Sequence, residues 1–124
     1  MNRQATDFED PDDYFLRFMS VQSLVAWNVP EAFPVLVRRL EDPLPDVRAV
    51  AVTGLAKLGD PQGVEPILTR LSDESEDVRA VAVVALTKLG GPKIRPQLEA
   101  LQEKEMAPDV RRALEAALDQ LHRE

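Results

Sequence analysis

The sequence predicts an all-α protein: a right-handed α-solenoid of about three and a half helix pairs, roughly seven helices in all. Three observations predict it. The phrase DVRAVAVTGLAKLG at Asp46–Gly59 returns as DVRAVAVVALTKLG at Asp77–Gly90, 31 positions later, and fixed periods in this range mark stacked repeats. Looser copies, FLRFMSVQSLVAWN (Phe15–Asn28) and DVRRALEAALDQLH (Asp109–His122), carry the register in both directions. Between the copies lie FPVLVRRLED, VEPILTRLSD and IRPQLEALQE, so each unit has two segments.

The elements follow in order, near residues 12–27, 31–41, 46–58, 62–72, 77–89, 92–104 and 109–122. Val-Ala alternation in DVRAVAV, taken alone, reads as a strand. The unbroken length of the segment decides for a helix, as do Val47, Val50, Leu55 and Leu58 at spacings of three and four. Asp46 and Asp77 are expected N-caps, with Gly59 and Gly90 as C-terminal stops after Lys57 and Lys88. Asp60-Pro61 and Gly91-Pro92 open the alternate segments, where the missing proline N–H costs nothing. The inner prolines Pro34, Pro66 and Pro96 predict an irregular first turn, with regular helix beginning near each of them. Residues 1–11 form an acidic N-terminal arm. Residues 12–124 form a single repeat domain, with a half-unit over 12–29 and units over 30–59, 60–90 and 91–124.

Composition supports one soluble domain: 124 residues, 44% apolar and 30% charged. Aromatics are only 5%, so the core is built from Leu, Val, Ala and Ile. The net charge of −7 argues against nucleic acid and anionic membranes, which bind concentrated positive charge, and favours a basic partner. Part of that acid, Asp7, Glu9, Asp10, Asp12 and Asp13, reads as a solvated leader of the first helix. It lacks the alternating ligands and turn glycine of a calcium loop. There is no cysteine, no signal-peptide pattern and no run of membrane-spanning length. A cytoplasmic, bacterial setting is the expectation.

The pattern D-x-V-R-x-x-A-x-x-A-L-x-x-L-G-D-x-x-x-V-x-P-L-x-x-x-L, seen in PDVRAVAVTGLAKLGDPQGVEPILTRLSD and EDVRAVAVVALTKLGGPKIRPQLEAL, resembles a short HEAT-like repeat of the type named after phycobilin lyases. The resemblance covers about residues 31–121, with the N-terminal helix fitting as a degenerate half-repeat. It implies that Arg48, Arg79 and Arg111, each two residues after Asp46, Asp77 and Asp109, form a structural ladder. The arginines of such proteins bond aspartates or carbonyls of the adjacent inter-helix turns. A planar guanidinium fork suits those acceptors and lysine does not replace it well; an anion-binding ladder is the functional alternative. The resemblance also implies that the second helix of each unit lines a concave surface. With Val47, Val50, Ala51, Leu55 and Leu58 assigned to the core, the partner face falls to Ala49, Val52, Thr53 and Ala56, then Ala80, Val83, Val84 and Thr87. Phe18 and Val21 flank it, and Thr53, Lys57, Thr87, Lys88, Arg112 and Glu115 supply polar rim. The aromatics Phe15, Phe18, Trp27 and Phe33 are expected to seal the end of the stack.

Catalytic chemistry finds no residues here. The only histidine is His122, a nucleophile has no base beside it, and four of the five glycines sit around helix junctions and form no phosphate loop. The His-Glu pairs of deoxyhypusine hydroxylase, a HEAT-like enzyme, are absent. The expected function is therefore a non-catalytic protein-binding or scaffold module, without cofactor or metal, whose concave face meets a protein partner or a second copy. The alternative is a lyase-like or chaperone subunit that binds a small apolar ligand of bilin type or a client protein.

Overall fold

The computed structural model describes residues 14–122. The acidic arm over 1–11, the start of the helix expected from 12, and the side chain of His122 lie outside the described residues. Seven α-helices follow one another: α1 (Tyr14–Trp27), α2 (Phe33–Arg39), α3 (Pro45–Leu58), α4 (Val64–Leu68), α5 (Glu76–Gly90), α6 (Arg95–Lys104) and α7 (Pro108–His122). No strand occurs among the described residues, so the strand-like alternation of DVRAVAV is overridden by its length and its neighbours.

The even-numbered helices are short because prolines interrupt their first turns. Tight 3₁₀ turns at Pro30–Ala32, Pro61–Gly63 and Gly91–Ile94 precede α2, α4 and α6. Pro34, Pro66 and Pro96 then stand in the first turn of regular helix, where no intrahelical N–H is needed. A further 3₁₀ turn, Thr69–Ser72, tightens the end of α4.

Helix ends depart from expectation in two places. Asp46 and Asp77 are not N-caps: α3 begins at Pro45 after Leu44, and α5 begins at Glu76 after Ser75, whose hydroxyl accepts from the Val78 N–H at 3.4 Å. Both aspartates fall inside the first turn, where their charge complements the helix dipole. Gly59 closes α3 in the left-handed conformation at φ 73°, its N–H donating to Ala56 and Leu55 carbonyls. On α5 the glycine with positive φ is Gly91, at 59°, because the helix runs on through Gly90.

The helices pack in two layers. α1, α3, α5 and α7 lie side by side, each touching the next, while α2, α4 and α6 back onto α3, α5 and α7. One apolar core runs between the layers, with Leu36, Val47, Leu55, Ile67, Val78, Leu86, Leu98 and Leu114 fully buried. Gly54 is a point of close approach to both α1 and α2. A Cβ there would lie 2.6 Å from Val25 Cγ2 and 3.0 Å from Leu36 Cδ1. Alanine is favoured over glycine within a helix by about 1 kcal/mol, yet Gly54→Ala is expected to destabilise the protein by about 1–2 kcal/mol, because both the β-branched Val25 and the fully buried Leu36 would have to shift. Urea unfolding checks the sign.

Candidate interaction face

Every inner-layer helix carries an arginine at the same position, and the first three, Arg17, Arg48 and Arg79, join successive units. Arg48 donates through Nε and Nη2 to both carboxylate oxygens of Asp73, each at 2.9 Å, and through Nη1 to the carbonyls of Asp42 and Pro43. Arg79 repeats the pattern on Glu105, at 2.8 and 2.9 Å, and on the carbonyls of Asp73 and Glu74. Arg17 meets Asp42, and Arg111 donates to the carbonyl of Glu105. Each acid also accepts a backbone N–H two residues on: Asp42 from Leu44, Asp73 from Ser75, Glu105 from Ala107. One acidic residue thus takes a fork from the preceding unit through its side chain and an arginine of its own unit through its carbonyl. Asp46, Asp77 and Asp109 are exposed and are not the acids of this ladder; Asp42, Asp73 and Glu105 are.

The ladder has a pH signature. Burial pushes the Asp73 carboxyl up, but the Arg48 fork, the Ser75 N–H and the charges of Arg48 and Arg70 outweigh it and hold the group below the usual carboxylate range. The Arg79 hydrogen bonds hold Glu105 low against its burial, helped by the backbone N–H groups of Ala107 and Met106. A carboxylate with a folded pKa below its unfolded one stabilises fully above the unfolded value, and that stabilisation fades as pH falls through the folded one. Stability is therefore expected to hold from neutral pH down to about 4–5 and to drop steeply below. Asp73→Asn is expected to flatten that drop in urea midpoints measured across pH 3–7.

On the other side of the inner layer three clefts succeed one another. The first, about 510 Å³, lies between α1 and α3 and is lined by Gln22, Val25, Ala26, Ala49, Val50 and Thr53 with Lys57. The second, about 330 Å³, lies between α3 and α5: Thr53, Ala56 and Lys57 face Val81, Val84, Ala85 and Lys88. The third, about 290 Å³, joins Val84, Thr87 and Lys88 of α5 to Ala113, Ala116, Ala117 and Gln120 of α7. Neighbouring clefts share residues, Thr53 and Lys57 at one boundary, Val84 and Lys88 at the next. Lys57 also donates to the Val25 carbonyl at 3.3 Å.

The residues expected on the partner face divide. Ala49, Thr53, Ala56, Val84 and Thr87 line the clefts. Val52 and Val83 are fully buried and Val21 nearly so, while Phe18 and Ala80 are half-buried against the core. The reason is geometric. An inner helix is covered on three sides, by the outer layer and by the inner helices before and after it, so its open arc is only about a third of its circumference at 3.6 residues per turn. On α3 that arc holds Ala49, Val50, Thr53, Ala56 and Lys57. Val50, assigned to the core from sequence, packs against the core and also lines the first cleft. Phe18 and Phe33 pack against the core, Phe33 beside Gly63 of the following unit, whereas Phe15 and Trp27 stand 60% and 70% exposed.

Among the described residues no group of three or more His, Cys, Asp or Glu is placed to hold a metal ion, and no helix is long and apolar enough to cross a membrane. Compared with known proteins, residues 33–119 match the family model described as HEAT repeats. No curated protein matches the chain.

Proposed function

The chain belongs to the HEAT-repeat family, whose members generally mediate protein–protein interaction or scaffolding, and from that premise we propose that it is a non-catalytic binding module whose protein partner lies along the three clefts of α1, α3, α5 and α7. The continuity of the clefts carries this reading. Because Thr53, Lys57, Val84 and Lys88 each serve two clefts, one segment of a partner can cross all four helices without leaving the track. The floor is valine and alanine, which accepts a ridge of small apolar side chains. The open, shallow shape suits a peptide segment better than an enclosed small ligand.

Charge refines the partner. The whole chain is acidic, yet the only charged residues lining the track are Lys57 and Lys88. We read the bound segment as apolar with carboxylates that meet these two ammonium groups, and so acidic where it docks, in place of the basic partner that net charge alone suggests. A photoreactive phenylalanine analogue introduced at Thr53 or Val84 is expected to cross-link a protein in cells of the source organism, with no adduct from Glu65 or Gln97 on the outer layer. Lys57→Glu with Lys88→Glu is expected to cut the adduct yield about tenfold. Adducts from the outer layer alone would refute the proposal.

A further inference from the structure

The repeat provides its own reference for what each inner helix needs. On α3 the stripe Val47, Ala51, Gly54, Leu58 receives the outer layer, with Leu36 seated over Gly54. On α5 the equivalent stripe is Val78, Ala82, Ala85, Leu89. In both, large residues stand at the ends and small ones in the middle, and the members are buried or half-buried. The same register on α1 gives Leu16, Ser20, Ser23 and Trp27. There the pattern of sizes is kept, but all four are exposed, Leu16 at 50% and Trp27 at 70%. Among the described residues nothing occupies the place of the outer helix.

The rest of α1 sharpens the contrast. Its only charged residue is Arg17, which is buried against Asp42. Its solvent side is free of charge in a protein that is 30% charged, and exposed Met19 borders the stripe. Exposed apolar patches of this extent on a soluble domain mark association surfaces.

We infer that this face of α1 is where two copies of the chain pair, α1 against α1 about a two-fold axis, each helix filling the outer-layer position that no described residue of the other occupies. The stripe reads the same in both directions about a point between Val21 and Gln22. In an antiparallel pair centred there, Leu16 of one copy lies against Trp27 of the other at both ends. Ser20 meets Ser23 at the crossing, where small side chains let the helices approach. That self-complementarity is what an isologous contact requires, and the stripe on α1 itself brings no charge into the contact despite the −7 on each copy. Leu16, Met19 and Trp27 offer roughly 400 Å² per copy, the size of a weak, concentration-dependent contact.

Sedimentation velocity of the full chain between 1 and 300 µM tests the inference, together with the emission of Trp27, the sole tryptophan. A monomer–dimer equilibrium with a midpoint on the order of 10 µM is expected. It should tighten with added salt as the repulsion between like-charged copies is screened, and Trp27 emission should shift to the blue with concentration. Leu16→Glu and Trp27→Glu change exposed side chains and are expected to keep the wild-type circular dichroism while weakening the dimer at least fiftyfold. A monomer at every concentration overturns the inference, whether Trp27 stays exposed or is already blue-shifted because the chain's own residues 1–13 cover it. So does a dimer indifferent to both variants and lost on Val84→Glu, which would place self-association in the clefts.

Discussion

Arg48→Ala is expected to destabilise the protein by about 3–5 kcal/mol, a large share of the total stability of a domain this size. The figure follows from what the substitution strands. Arg48 and Asp73 are 5% and 7% exposed, and removing the guanidinium leaves a carboxylate in the core with one backbone N–H from Ser75 and a 3.3 Å contact from Arg70. The carbonyls of Asp42 and Pro43 lose their donor in the same step. Arg48→Lys keeps the charge but cannot make the fork, and is expected to cost about 1–2 kcal/mol. Removing both partners, Arg48→Leu with Asp73→Leu, should cost clearly less than Arg48→Ala, because the penalty lies in the unpaired charge more than in the lost pair. Arg111→Ala, at an exposed arginine with one carbonyl acceptor, should stay within about 1 kcal/mol. Urea unfolding of the four variants orders them, and an Arg48→Ala protein as stable as Arg111→Ala would end the ladder's claim to join the units.

That ladder shows how far the sequence could be read. The arginines stood out through repetition, and acceptors in the adjacent inter-helix turns were expected for them, but the acids placed in the ladder were the aspartates two residues before. Residues two apart on a helix do not face each other, so Asp46 could not serve Arg48. The true acids, Asp42, Asp73 and Glu105, each precede an arginine by six residues, a spacing visible in LED, LSD and EKE. The aspartate-to-glutamate change and the looser third copy hid it. The helices themselves were legible because length, proline position and Gly59 all agree on one answer. The partner face was half legible, since the periodicity of α3 and α5 says that apolar residues surround the helix but not which neighbour covers which arc. One signal did exist. At the register of Val21, Val52 and Val83, α7 carries Glu115, exposed where those valines are buried. Where no further inner helix follows among the described residues, valine gives way to glutamate, which identifies that position as a contact between successive helices and not as open surface.

Val83→Glu and Val84→Glu turn this distinction into the sharpest expected contrast in the molecule, because the two positions are adjacent on α5. Val83 has no exposure and sits in the core cluster, whereas Val84 is half exposed at the boundary of two clefts. A glutamate at 83 must either bury an unpaired charge or open the contact between α5 and its neighbours. The expected loss is about 4 kcal/mol or more, enough to leave much of the chain unfolded at 37 °C. A glutamate at 84 points to water and should change stability by no more than about 0.5 kcal/mol. It places a negative charge between Lys57 and Lys88, where it competes for the ammonium groups and repels an acidic partner, so cross-linking from Thr53 should fall while the fold persists. Thermal unfolding followed by circular dichroism separates the two. A stable Val83→Glu beside an unfolded Val84→Glu would mean that α5 is turned by one position relative to the core, and the track of clefts would have to be redrawn on the opposite arc. A stable protein in both cases would leave the contact between successive inner helices too loose to make the clefts a rigid surface.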